Sequence, residues 1–239
     1  MELRDRVWFA LDVNSWAEVE RFITMLGPLI TTFKIGFRLY LSRDGRLVMQ
    51  DCIDWGGKIF LDLKLHDIPA TVGDASAEIA GMGVDYFSVH ASAGVPAMRA
   101  ALENRGGAKV LAVTLLTSLE EESEKIYAAA APQAVFRLAN LAVEAKADDI
   151  ICSGADLPFL NAASEELAAV CKYCPGIRSA DKDANDQQRT ATPFGAFRNG
   201  ATAIIVGRQV RDAKNPLDEM KRILDEASNG LEARKKERM

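Results

Sequence analysis

Lys58-Ile59-Phe60-Leu61-Asp62-Leu63-Lys64-Leu65, followed at once by His66-Asp67-Ile68-Pro69-Ala70-Thr71-Val72, is a short apolar run broken by two charges set two residues apart. Side chains two apart on a strand share a face, so Asp62 and Lys64 project together while Leu61, Leu63 and Leu65 point the other way. A helical pattern follows from Thr71 to Gly81, and a new β-rich run opens at Tyr86. In a barrel of such units the leucines pack against helices and the charged pair faces the mouth, where barrel chemistry sits.

Outward from this stretch the same β-then-α unit repeats. Strand-like runs are predicted at Val7 to Val13, Thr32 to Phe37, Lys58 to Leu65 and Tyr86 to Ala91, then Lys109 to Leu116, Asp149 to Ser153, near Val170 to Cys174, and Ala203 to Val206. Several are nearly continuous apolar runs, as parallel strands covered on both faces should be. Helical patterns lie between them, at Ser15 to Leu26, Arg38 to Cys52, Thr71 to Gly81, Val95 to Asn104, Pro132 to Glu144, Phe159 to Ala169, Pro193 to Asn199 and Pro216 to Ala227. Ser15 suits an N-cap, Pro132, Pro193 and Pro216 suit first turns, and Gly27, Gly81, Gly106 and Gly200 sit where helices should stop. Eight such units fit a closed (β/α)8 TIM barrel better than an open doubly wound sheet. No linker divides the chain, so residues 1–239 are expected to form one domain, with a charged tail from about residue 230 whose end, Glu232 to Met239, should fray.

Composition narrows the function. The 239 residues are 49% hydrophobic, enough for a large core and too apolar for a disordered chain. With 34 acidic against 29 basic residues and a net charge of −5, the chain lacks the broad basic surface that nucleic-acid binding uses, and an anionic substrate would have to be held by a few placed cations. The apolar runs fall far short of the ~20 residues needed to span a bilayer, which predicts no membrane partner. The start, MELRDRVWFALDV, carries no signal-peptide pattern, which predicts a cytoplasmic protein. Cys171 and Cys174 form a C-x-x-C, but without a second Cys/His pair they read as thiols on or beside a strand rather than as a zinc site.

Burying two charges costs several kcal/mol per ion by the usual estimate, so a site that uses Asp62 and Lys64 explains them better than a structural ion pair. Lys34 and Asp12 have the same character, a charge near the end of an apolar run, and with Asp62, Lys64 and Asp67, which follows in the loop, they form an alternating Asp/Lys set in which carboxylates favour the ammonium form of the lysines. The last third carries a second set. Pro175-Gly176-Ile177-Arg178, the polar stretch from Ser179 to Arg189 and Ile205-Val206-Gly207-Arg208 fall after the seventh and eighth strands, where barrels commonly bind phosphate. A phosphate site is therefore predicted from Arg178, Gln187, Gly207 and Arg208, with the polar stretch as its lid. His66 lies inside the charged motif and is read as a supporting residue, and His90 as a satisfied strand-end residue. There is no G-x-G-x-x-G after a strand, no Walker loop and no G-x-S-x-G elbow.

The run Leu61-Asp62-Leu63-Lys64-Leu65-His66-Asp67-Ile68-Pro69-x-Thr71-Val72 resembles the signature of the orotidine 5′-phosphate decarboxylase family. Leu11-Asp12, Phe33-Lys34-Ile35-Gly36, Val113 to Ser118, Pro175 to Arg178, Asp186-Gln187 and Val206-Gly207-Arg208 agree in order and spacing, over about residues 7 to 210. Ala70, where asparagine is usual, and Ser92-Ala93 in place of a glycine-richer turn depart from it. The resemblance implies decarboxylation of orotidine 5′-phosphate to UMP without metal or organic cofactor. It further implies that Lys64 protonates the C6 carbanion, Asp62 sits beside the departing carboxylate, and Lys34 and Asp67 complete the charge network. By the same resemblance Asp12 and Lys34 bind ribose hydroxyls, Thr117 the base region, and Arg178, Gln187, Gly207 and Arg208 the phosphate. Asp67, with Thr71 nearby, reaches the site of a second subunit, so a homodimer with shared active sites is implied. The alternatives are a magnesium-dependent sugar-phosphate decarboxylase or aldolase on the same barrel, which calls for an extra carboxylate where this chain has Lys34, and a catalytically silent phosphate-binding barrel, which intact Lys64 and its aspartates argue against.

Overall fold

The computed structural model describes residues 1–43, 45–181 and 189–237. Its first half runs β1 (Val7–Ala10), α1 (Trp16–Leu26), β2 (Thr32–Gly36), α2 (Phe37–Tyr40), α3 (Gly45–Asp54), β3 (Lys58–Leu65), α4 (Pro69–Gly81), β4 (Tyr86–His90) and α5 (Val95–Glu103). It continues with β5 (Lys109–Val113), α6 (Ser123–Tyr127), α7 (Ala131–Ala145), β6 (Asp149–Ile151), α8 (Leu157–Ala163), α9 (Glu165–Ala169) and β7 (Lys172–Cys174). The chain closes with α10 (Pro193–Arg198), β8 (Ala203–Val206), α11 (Arg208–Arg211) and α12 (Pro216–Glu237). The strands pair in sequence order, all parallel, and β8 returns to β1 through Val7 opposite Ile204, which closes the barrel. This is the expected single-domain (β/α)8 fold. Among the described residues no helix is long and apolar enough to cross a membrane.

Strand alternation sorts the apolar side chains into two clusters. Val7, Phe9, Phe33, Ile35, Ile59, Leu61, Phe87 and Val89 face the helices, while Trp8, Ala10, Phe60, Leu111, Val113, Ile151, Tyr173 and Ile205 fill the barrel interior. Trp8 packs on Tyr86 and Tyr173 with ring centroids 4.7 Å from each, and its indole N–H donates to the Asp5 carbonyl at 2.9 Å. The interior is thereby plugged at its N-terminal end. Two residues beyond Ala10 on the same face comes Asp12, and two beyond Phe60 comes Asp62, so the alternation that buries the plug carries charges to the mouth.

Several predicted boundaries shift. The runs read to Val13, Leu116 and Ser153 leave the ladder at Ala10, Val113 and Ile151, although Leu11 N–H still donates to the Lys34 carbonyl at 2.9 Å and Thr114 N–H to that of Ile151 at 3.0 Å. The helix predicted over Arg38 to Cys52 is two helices, because the chain folds back on itself between them. Ser42 Oγ donates to the Leu39 carbonyl at 2.6 Å, and a Cβ at Gly45 would collide with the Leu39 and Tyr40 carbonyls. The helix predicted over Phe159 to Ala169 breaks at Ser164, which is extended and caps α9 through Leu167 N–H at 3.2 Å. Where a frayed end was expected from Glu232, α12 runs on to Glu237. It is seated on α10: Arg198 pairs with Glu237 at 2.7 Å, and a Cβ at Gly230 would meet the Phe194 carbonyl.

That close approach is testable. On an open helix Gly→Ala gains about 1 kcal/mol from propensity, whereas Gly230→Ala must push α12 off α10 and should lose about 1–3 kcal/mol in urea denaturation. A variant as stable as the parent would show that the contact is not tight.

Candidate active site

β3 supplies the centre of the site. Asp62 is buried at its C-terminal end, and its Oδ2 accepts from Lys64 Nζ at 2.8 Å and lies 3.7 Å from Lys34 Nζ. Lys34, on β2, also donates to Asp12 Oδ1 at 3.2 Å. The side chains thus form one chain of alternating charge, Asp12, Lys34, Asp62, Lys64. Burial works against the Lys34 ammonium, but Asp62 and Asp12 more than offset it and raise its pKa above the usual lysine value. Burial likewise disfavours the Asp62 carboxylate, yet Lys34, Lys64 and a hydrogen bond from Ser88 hold its pKa below the usual range. Both groups are charged at neutral pH.

Lys64 reaches this position by an irregular route. The β3 to β4 register slips, with Leu61 opposite Phe87 but Leu65 opposite Val89, and Lys64 adopts φ +47°, a left-handed conformation rare for a residue with a side chain. The simple alternation expected from the sequence is therefore replaced by a bulge that still aims Lys64 at Asp62. Ser88, which the sequence reading passed over, faces the bulge from β4. Its signal was a hydroxyl at an inward position of the strand beside β3, in Tyr86-Phe87-Ser88-Val89-His90.

A cavity of about 260 Å³ opens at the mouth and is lined by Asp12, Lys34, Asp62, Lys64, Thr117, Arg178, Gly207 and Arg208. Val113, Leu116, Ile151 and Ile205 give it an apolar floor and wall. Arg178 is buried and stands on a loop fastened to the chain beyond the polar stretch, its N–H donating to the Ala191 carbonyl at 3.0 Å. Ala191 can approach because residue 154 is glycine, where a Cβ would lie 2.5 Å from that of Ala191. Arg189 forms a buried ion pair with Asp156, and its carbonyl accepts from Ser153 Oγ at 3.0 Å. At Gly207 a Cβ would come within 3.3 Å of Ala10 Cβ, so glycine keeps β8 close to β1 at the rim.

Two of the expected site residues do not join this cavity within the chain. Asp67 and Thr71 are exposed and line a neighbouring groove with Lys64, His66 and Phe37. Gln187, with most of the polar stretch expected to act as a lid, lies outside the described residues. The C-x-x-C is divided by strand parity: Cys171 packs against the barrel interior while Cys174 belongs to the outer cluster with Cys152. The two thiols therefore face opposite sides of the sheet and share no ligand.

His90 caps the turn after β4. Its Nδ1 accepts from Ser92 N–H at 3.4 Å and lies 2.7 Å from Ser92 Oγ, which in turn is 3.0 Å from His66 Nε2. Burial, with lesser contributions from His66 and Lys64, lowers its pKa from 6.5 to about 4. As pH falls through that window the unfolded chain takes up a proton that the folded chain refuses, so stability falls with pH. The shift from 6.5 to about 4 corresponds to a loss on the order of 3 kcal/mol. His90→Asn keeps an acceptor and removes the titration, so urea unfolding should show a shallower decline than the parent's over this range. Parallel declines would mean that His90 charges freely in the folded protein.

Residues 5–223 match the family model described as Orotidine 5′-phosphate decarboxylase / HUMPS family. The chain is similar to proteins named orotidine 5′-phosphate decarboxylase from Geotalea daltonii, at 38% identity over 96% of this chain and 98% of that one, and from Anaeromyxobacter dehalogenans, at 40% identity over 90% and 95%. Among solved structures it resembles orotidine 5′-phosphate decarboxylase from Lactobacillus acidophilus, with a TM-score of 0.78 and 30% identity over 93% of this chain and 99% of that one.

Proposed function

Because the chain belongs to the orotidine 5′-phosphate decarboxylase / HUMPS family, we propose that it converts orotidine 5′-phosphate to UMP and CO2 in pyrimidine biosynthesis, as a cytoplasmic homodimer using no metal or organic cofactor. The observation that carries this reading is the Asp12, Lys34, Asp62, Lys64 chain in one cavity with Arg178 and Arg208. The phosphate binds Arg178, Arg208 and Gly207 on the rim formed after β7 and β8, with Gln187 as a further ligand. Asp12 and Lys34 take the ribose hydroxyls, and Thr117 borders the base. The bond from C6 to its carboxylate breaks, CO2 departs and the electron pair stays on C6. Lys64 Nζ delivers a proton to C6 to complete UMP, and water restores the proton to the amine. Fixed charges stabilise the developing carbanion without reorganising, and binding of the remote phosphate holds the ring against them.

The magnesium-dependent reading is less well supported. A divalent cation needs open oxygen ligands, whereas Lys34 Nζ occupies the space between Asp12 and Asp62, 3.2 and 3.7 Å from them. Asp67 and Thr71 find their role in a second copy. Their groove is lined in part by the exposed ring of Phe37, and Ile68, next to Asp67 in the chain, is exposed as well, which suits burial against another subunit, with Asp67 then reaching the partner's cavity.

Chelator-treated protein should consume orotidine 5′-phosphate, followed by its ultraviolet absorbance; activity that returns only with magnesium would favour the sugar-phosphate alternative. Lys64→Ala should lower turnover by at least about 10²- to 10⁴-fold while UMP still binds, and Arg208→Ala should raise KM steeply. Shared sites make a separate demand. Mixing inactive Lys64→Ala with inactive Asp67→Ala should recover about a quarter of parental activity, since half the dimers are mixed and each has one intact site. No recovery after subunit exchange would place Asp67 in its own subunit's chemistry or in none.

A further inference from the structure

We infer that Ser88 is a positioning residue for the decarboxylation, its single hydroxyl orienting the Asp62 carboxylate and fixing the backbone bulge that aims Lys64. The inference rests on the reading of Asp62 and Lys64 as the reacting pair. Ser88 lies on β4 directly behind that pair, fully buried and outside the cavity lining, so it acts through its neighbours.

The bulge creates the need for it. From Leu61 to Leu65 four residue steps on β3 oppose two on β4, and Lys64 sits at φ +47° within the slip. Its N–H is then out of register with the β4 carbonyls, and a buried N–H without an acceptor is costly. Ser88 Oγ accepts it at 2.8 Å. The same hydroxyl spends its one proton on Asp62 Oδ1 at 2.9 Å. Asp62 Oδ1 is thereby turned toward β4, and Oδ2 is left for Lys64 at 2.8 Å and Lys34 at 3.7 Å. One side chain thus sets both the rotation of the carboxylate and the backbone from which the proton donor springs. Alanine satisfies neither group, and no water enters a fully buried position to replace the hydroxyl.

Ser88→Ala should slow the chemical step, read in single-turnover conversion of orotidine 5′-phosphate, by about 10- to 100-fold, the usual worth of a hydrogen bond to a charged group. The Kd of UMP should stay within about threefold, because the ground-state contacts to phosphate and ribose are untouched. Ser88→Thr retains the hydroxyl and should restore most of the rate. If the alanine protein does not fold, Ser88→Cys, which keeps the volume with a weak donor, is read the same way. A parental single-turnover rate without the hydroxyl overturns the inference, as does a UMP Kd that rises in step with the loss of rate. So does a threonine variant that binds UMP normally yet is as slow as alanine. Lys64→Ala separates the two levels: if it retains activity the reacting pair is misassigned, whereas a dead Lys64→Ala beside a parental Ser88→Ala removes only the role of Ser88.

Discussion

Asp62 leaves water at the end of β3, and a carboxylate so placed costs several kcal/mol unless cations meet it there. Lys64 and Lys34 do so, and Lys34 is itself met by Asp12. Each charge is tolerable only because the next one is present. Loss of any member leaves an unpaired ion beside an apolar floor, where its field is poorly screened. The same arrangement explains why these groups suit carbanion chemistry. Their positions are fixed before substrate arrives, so stabilising new charge at C6 requires no rearrangement of dipoles.

Convergence of four charges from three strands depends on barrel closure. Trp8, Tyr173, Ala10, Phe60, Ile151 and Ile205 fill the interior with apolar side chains beneath the mouth. One alternation turns Asp12, Lys34 and Asp62 to the same face; Lys34 stands opposite Ala10 and Phe60, two residues before the aspartates, and its long side chain reaches up between them. The buried Asp149 with Lys109 at the closed end, 3.1 Å apart, shows that the barrel also carries charge away from chemistry. Position at the mouth, rather than charge alone, marks the site.

Much of this was legible in Lys58 to Asp67, since two charges at i and i+2 in a run of leucines fix a face. The bulge was not, because a register slip depends on the neighbouring strand and leaves no mark in β3 itself. Ser88 was hidden for the same reason: a serine in an apolar run gives no sign of which carboxylate lies across the ladder. The C-x-x-C was legible as thiols on or beside a strand, and strand parity puts the two cysteines on opposite faces of the sheet. Asp67 was legible as the charge that follows the pair, Thr71 entered through family resemblance, and a single chain leaves both outside the cavity lining. The split helices turn on local caps at Ser42 and Ser164, whereas the length of α12 is set by its seat on α10, a tertiary contact that polar composition conceals.

The two ends of the cavity are built differently, and the chemistry accounts for it. The charged end stands on strands, where ladder hydrogen bonds hold atoms to a fraction of an ångström. The arginine end stands on loops joined to one another: Asp156 to Arg189, Arg178 to Ala191, and Gly154 bare so that Ala191 can pass. A phosphate tolerates small displacements of its ligands, whereas a proton transfer to carbon does not. Lys64, one of three non-glycine residues with positive φ among the described residues, belongs to the rigid end. Its left-handed backbone persists because Asp62, Ser88 and the Leu65 pairing with Val89 determine it from three sides. The barrel's stiffness is thereby spent where a misplaced nitrogen would cost most.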